Sequence, residues 1–226
     1  MLARQVESVC RDFNFENCFT VDRTGMGGGL ALIWRAEVNV SITSYSSHHI
    51  DAIVSSESGL RWKCTGIYGH PELSQKHNTW TFMKRLASLF SYPWCCFGNF
   101  NEIMHMHEKN GGNERNLNRV TEFREAVQSC NLQDMGCKGY PYTWSNKRYG
   151  DHFIEERLDR FLCSKDWGIN FQESVGTNLV NWSSDHCPII LDFHERSKLS
   201  RHAGKSLPRD YYEDMWSSHE GCRSIV

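Results

Sequence analysis

Short apolar runs that stop abruptly at polar clusters leave few folds open to this chain. Trp94-Cys95-Cys96-Phe97 runs into Gly98-Asn99-Phe100-Asn101-Glu102, and Arg157-Leu158-Asp159-Arg160-Phe161-Leu162 sets an acid within a strand-like segment. Trp182-Ser183-Ser184-Asp185-His186-Cys187-Pro188-Ile189-Ile190 places a carboxylate beside an imidazole at the mouth of a third apolar strand. A strand buried along its length and polar at its tip is a scaffold for chemistry, because the buried part fixes the backbone while the tip meets water.

The rest of the pattern agrees. Residues 19–21, 30–34, 38–45, 50–54 and 60–68 read as short strands separated by turn residues, including a glycine turn at 25–29. Connections that short predict an antiparallel meander. Leu2, Val6, Val9, Cys10 and Phe13 recur at helical spacing, so the chain opens on an amphipathic helix. Ser74 is positioned to cap a second helix in which Trp80, Met83, Leu86 and Phe90 share one face. Further helices are expected at about 118–130 and 164–170, with strands at 93–97, 132–135, 143–145, 153–162, 174–180 and 187–193. Strand runs with a few interleaved helices predict an α+β fold of two packed sheets with helices outside. One domain is expected over residues 1–194, followed over 195–226 by a polar linker and the start of a helical segment.

Composition narrows the function. With 226 residues, 39% hydrophobic and 23% charged, the chain suits a single globular core. No apolar run approaches the roughly 18 residues of a membrane span, and no basic-then-apolar signal opens the chain, so no membrane partner and an intracellular location are expected. The formal net charge of -2 argues against holding nucleic acid by bulk electrostatics; any such binding must be local. Ten cysteines without a single CxxC pair signal neither a zinc ribbon nor a redox motif, and several sit in apolar strand patterns as buried thiols.

The ordered set of Tyr68, the Gly98-Asn99-Phe100-Asn101 turn, Thr143-Trp144-Ser145, Arg157-Leu158-Asp159-Arg160 and Ser184-Asp185-His186-Cys187-Pro188 resembles the endonuclease/exonuclease/phosphatase superfamily. That family's usual signatures are a Gly-Asp-x-Asn turn, an Arg-Leu-Asp strand and a closing Ser-Asp-His. Gly27-Gly28-Gly29-Leu30-Ala31-Leu32-Ile33-Trp34, Ile67-Tyr68-Gly69-His70-Pro71 and Tyr142-Thr143-Trp144-Ser145-Asn146 look like the endonuclease region of plant non-LTR retrotransposons of the long interspersed type. The resemblance covers about residues 1 to 193 and implies a four-layer α/β/β/α sandwich of the DNase I-like type. It also implies a phosphodiesterase dependent on magnesium or manganese and acting on DNA, in the nucleus. Asp185 would be a metal ligand, His186 a proton-transfer or phosphate-binding group, and Asp159 its orienting partner. Asn101 would bind a phosphate oxygen, with Tyr68 near the scissile phosphate. Asp210-Tyr211-Tyr212-Glu213-Asp214-Met215-Trp216 looks like the segment leading toward a reverse-transcriptase region, the expected partner in the parent element.

Two departures weaken the expected activity. Asn99 stands where the family carries aspartate, and an amide cannot accept a proton from water. Family members also open with two strands, the second ending in a metal-binding glutamate. This chain starts after both, and its Glu7 and Glu16 do not sit at strand ends. The expectation is therefore a weak or inactive phosphodiesterase with loosely bound or lost metal, and a fold of marginal stability for want of its first strands. The alternative is a non-catalytic remnant that binds nucleic acid or a protein. A third reading is a zinc module built on His105, His107, Glu108 and neighbouring cysteines.

Overall fold

A computed structural model describes residues 3–22, 29–89, 91–180 and 183–196. The glycine turn at 25–29 falls almost wholly outside these residues, as do Phe90, Trp182, nearly all of the polar linker and the segment at 210–216. One compact unit spans Met1–Glu195.

Helix α1 (Ala3–Asp12) packs on the hairpin of β1 (Asn17–Val21) and β2 (Leu30–Trp34), burying Val6 and Cys10 and leaving Val9 and Phe13 largely in water. There follow β3 (Asn39–Ser46), β4 (His49–Ser55), β5 (Arg61–Tyr68), α2 (Lys76–Leu89) and β6 (Trp94–Asn99). Next come β7 (Lys109–Asn110), α3 (Leu117–Ser129), β8 (Leu132–Asp134), β9 (Lys138–Gly139), β10 (Trp144–Ser145) and β11 (Glu155–Glu156). The described chain ends with β12 (Asp159–Ser164), α4 (Lys165–Asn170), β13 (Phe171–Asn178) and β14 (Ile189–Glu195).

The main sheet has the order β3-β4-β5-β6-β12-β8. Its pairs are antiparallel except β5 with β6, which run parallel because α2 carries the chain back across the sheet. Successive side chains of a strand face opposite ways, and the two faces are covered differently. Cys96 and Leu162 face α2 and α3, where Trp80, Met83, Leu86, Phe123 and Val127 form the larger core; Trp80 stacks on Phe123 with ring centroids 4.5 Å apart. Their neighbours Cys95, Phe161 and Cys163 face the other way, against Trp167, Phe171 and the Ile189, Leu191 and Phe193 stripe of β14. The result is the α+β arrangement expected, with helices over one face and a second β-layer under the other.

Local differences from the expectation have identifiable causes. The meander divides: β1 and β2 form a two-stranded sheet of their own, while β3, β4 and β5 belong to the main one. The strand expected at 153–162 breaks between β11 and β12, because the backbone N–H groups of Leu158 and Asp159 both donate to Thr143 Oγ1 at 2.9 Å. Ser74 lies inside a 3-10 turn, Leu73–Gln75, and α2 begins only at Lys76, whose ammonium is drawn into the protein by the buried Glu102 at 2.7 Å. Strand β6 runs two residues past its expected end. Gly98 makes this possible: at φ +124°, a Cβ there would lie 2.3 Å from the Ile67 carbonyl oxygen. The last strand begins at Ile189 rather than 187, since Cys187 N donates to Thr143 O and Pro188 O accepts from Leu179 N. No helix among the described residues is long and apolar enough to cross a membrane.

Candidate active site

The strand ends of the main sheet meet in one row. Tyr68 of β5 pairs with Asn99 of β6, and Asn99 pairs on its other side with Asp159 of β12. Residues in direct register lie side by side on one face of a sheet, so a phenol, an amide and a carboxylate come together from segments far apart in sequence. His186 closes the row: its Nδ1 lies 2.8 Å from Asp159 Oδ2.

Each of these residues is held by others. Thr143 receives the Asp159 N–H, fixing that residue's backbone, and Phe100 N donates to Leu158 O just before it. Two guanidiniums flanking Asp159, those of Arg157 and Arg160, both bind Glu108 and Asp134, pinning the start of β12 to β8 and to the 102–108 loop. Burial alone would raise the Glu108 and Asp134 carboxyls, but the two arginines override it; Glu108 titrates below its usual range and Asp134 is brought down to about 2. Asn99 Oδ1 accepts the Asn101 N–H at 2.7 Å, and Asn101, in the left-handed region at φ 54°, donates its side-chain amide to Gly69 O at 2.7 Å. The asparagine pair thus ties the end of β6 to the end of β5. His48 supports the same end, since its Nδ1 lies 2.9 Å from Tyr68 O and its O accepts from Tyr68 N.

A carboxylate on Nδ1 sets the imidazole's tautomer: the neutral ring carries its proton on Nδ1, so Nε2 holds the lone pair. Partial burial of His186 disfavours its charged form, yet the hydrogen bond and charge of Asp159, with the charge of Asp185, outweigh it and the ring titrates above its ordinary value. Asp185 itself is exposed; Trp144 Nε1 donates to its Oδ2 at 3.2 Å and Ser145 N to its backbone oxygen.

Sequence reasoning thus named the members of the row, while the positioning roles of Thr143, Trp144, Arg157 and Arg160 emerge only from the geometry. The Thr143-Trp144-Ser145 run and the two arginines around Leu158-Asp159 were the available signals. For a magnesium or manganese ion, Asp185 offers an exposed carboxylate, and such an ion keeps several waters and completes its shell with substrate phosphate. No three His, Cys, Asp or Glu side chains converge as a metal cage among the described residues. The zinc reading loses its carboxylate, because Glu108 is buried between the two guanidiniums; His105 and His107 merely stack, with centroids 5.4 Å apart.

Comparison with known proteins bears on the fold. The endonuclease domain of TRAS1, a telomere-specific non-LTR retrotransposon, superposes with a TM-score of 0.62 at 12% identity, covering 85% of this chain and 91% of that one. The 3′ phosphatase NExo from Neisseria, bound to a product DNA hairpin, gives 0.57 at 16% identity, with 83% and 82% covered. The human Nocturnin catalytic domain with a bound sulfate anion gives 0.54 at 14%, with 86% and 77% covered. At these identities the likeness establishes the DNase I-like fold. No curated protein sequence matches significantly. The model of the Endonuclease/Exonuclease/phosphatase family matches residues 4–186, most of the chain, and the protein therefore belongs to that family.

Proposed function

We propose that the protein is a divalent-metal-dependent phosphodiesterase-like domain of non-LTR retrotransposon origin that acts on DNA and whose cleavage is weak. The observation that carries this reading is the single row of Tyr68, Asn99, Asp159 and His186 across three strands, with Asp185 beside it. Within it, Asp159 orients His186 so that Nε2 meets a phosphate oxygen or passes a proton, and Asn99 and Asn101 hold the neighbouring strand ends. An ion at Asp185 would neutralise charge building on the phosphate. Residues 1–194 form the nuclease-like unit on this reading, 195–226 lead toward a reverse-transcriptase region, and action on chromosomal DNA places the protein in the nucleus.

Weakness follows from position 99. An amide cannot draw a proton from the attacking water, and losing a general base costs roughly 10² to 10⁴ in rate. The Asn99 oxygen is in addition already occupied by the Asn101 N–H. This last contact also favours the second reading, a non-catalytic module that binds nucleic acid.

A plasmid-nicking assay with magnesium or manganese tests the proposal. The expected result is slow, metal-dependent nicking, raised by no more than about tenfold in Asn99→Asp because one exposed carboxylate holds the metal loosely. Robust cutting by the unaltered chain that vanishes in His186→Ala would refute the weak-activity reading. Nicking indifferent to His186→Ala would remove the row from the chemistry altogether.

A further inference from the structure

Beside the row lies a cleft of about 760 Å3 that the phosphodiesterase reading does not use. Its described walls carry five aromatic rings, those of Tyr140, Tyr142, Trp144, Tyr149 and Phe153. Tyr140 and Tyr142 meet edge to face at 5.8 Å, while the Tyr149 side chain stands 94% exposed at the rim. A single ring in water is ordinary, but here Tyr140, Tyr149 and Val180 of the same cleft are exposed together, and grouped apolar exposure is the mark of an interaction surface.

Charge in the cleft is ordered. Lys147 and Arg148 lie among the exposed residues of its edge, and Glu155 lies inside, accepting the Tyr140 hydroxyl. Cations outside and a carboxylate acceptor within suit a ligand whose negative charge stays at the edge and whose inserted part is flat and carries N–H donors. A nucleotide has that polarity: phosphate outward, base inward, with exocyclic amines able to donate to a carboxylate. Since the whole chain carries a net charge of -2, attraction for a polyanion has to come from such a local patch.

Trp144 links the cleft to the row. It forms part of the cleft wall, donates to Asp185 through the indole nitrogen, and makes a β-bridge with His186. We propose that this cleft binds single-stranded nucleic acid, stacking one or two unpaired bases among its rings while the backbone passes on to His186. Duplex bases are already stacked on one another and present no free faces to the rings. The proposal rests on the phosphate-site reading of the row, but it concerns binding and is separable from cleavage.

The test is fluorescence anisotropy of the full chain in EDTA, with a labelled oligodeoxycytidylate of about twelve nucleotides, whose bases carry the exocyclic amine and whose length lies within the span of single-strand sites, against a fully paired duplex of the same length. Tyr149→Ala is the informative variant, because so exposed a ring can be removed without disturbing the core, and near-UV circular dichroism checks that the fold persists. The chain should prefer the single strand, and Tyr149→Ala should weaken that binding about tenfold while leaving duplex binding nearly unchanged. Equal or stronger binding of the duplex, or single-strand affinity untouched by Tyr149→Ala, would overturn the inference. Single-strand binding that depends on Tyr149 in a chain that never nicks would uphold it while the cleavage reading fell. Nicking dependent on His186, with single-strand affinity indifferent to Tyr149, would give the reverse.

Discussion

Among single residues, the His186–Asp159 contact governs the imidazole's tautomer and the row's response to pH. The ring's folded-state pKa lies above its unfolded value of about 6.5, so the contact contributes its full stabilisation below that pH and loses it as pH rises through the folded pKa. Urea unfolding between about pH 5 and pH 9 should therefore show a decline that Asp159→Asn removes. A His186 resonance titrating at or below the unfolded value would contradict this account. The partnership was legible in the sequence, because Arg-Leu-Asp and Ser-Asp-His carry the family's resemblance on residues with few other uses. The Asn101 side chain was less so. Its expected phosphate contact competes with a 2.7 Å bond to Gly69 O, which depends on how closely two strand ends approach, and no one-dimensional pattern records that distance.

Elements are joined around the row by charge as much as by apolar packing. Arg157 and Arg160 at the start of β12 bind Asp134 of β8 and Glu108 of the loop before β7, all four side chains largely out of water. Removing one partner strands the others, so Arg160→Ala should cost about 3 to 5 kcal/mol in urea unfolding at neutral pH. A loss below about 1 kcal/mol would place the network at the level of a surface pair. The Asp134 carboxyl adds acid sensitivity: its stabilisation is present above the unfolded value of about 3.9 and disappears as pH falls toward 2. Apolar strand runs predicted β2, β4 and β5 closely, since burial and periodicity are written along the chain. The break between β11 and β12 was not legible, because it is caused by Thr143, some fifteen residues away, capturing two backbone N–H groups. The separation of the β1–β2 hairpin from the main sheet is likewise a choice of partner, which alternation of side chains does not encode.

For the molecule as a whole, the exposed strand edges set its solution behaviour. Among the described residues β14 is paired only by β13, and Ile190 on it is 48% exposed. An open edge carrying apolar side chains is a template for pairing with another chain. Sedimentation velocity should show association that grows with concentration and diminishes in Ile190→Lys, a charge of the kind that blunts sheet edges. Concentration-independent monomers for both would argue that this edge is covered. The row across β5, β6 and β12 draws its geometry from strand alignment, and the absent side chain at Gly98 is what permits the alignment: any methyl there would collide with the Ile67 carbonyl. The alignment of these side chains is accordingly a gauge of correct strand threading. A chain threaded one residue out of register would scatter the row even with every one of its side chains present.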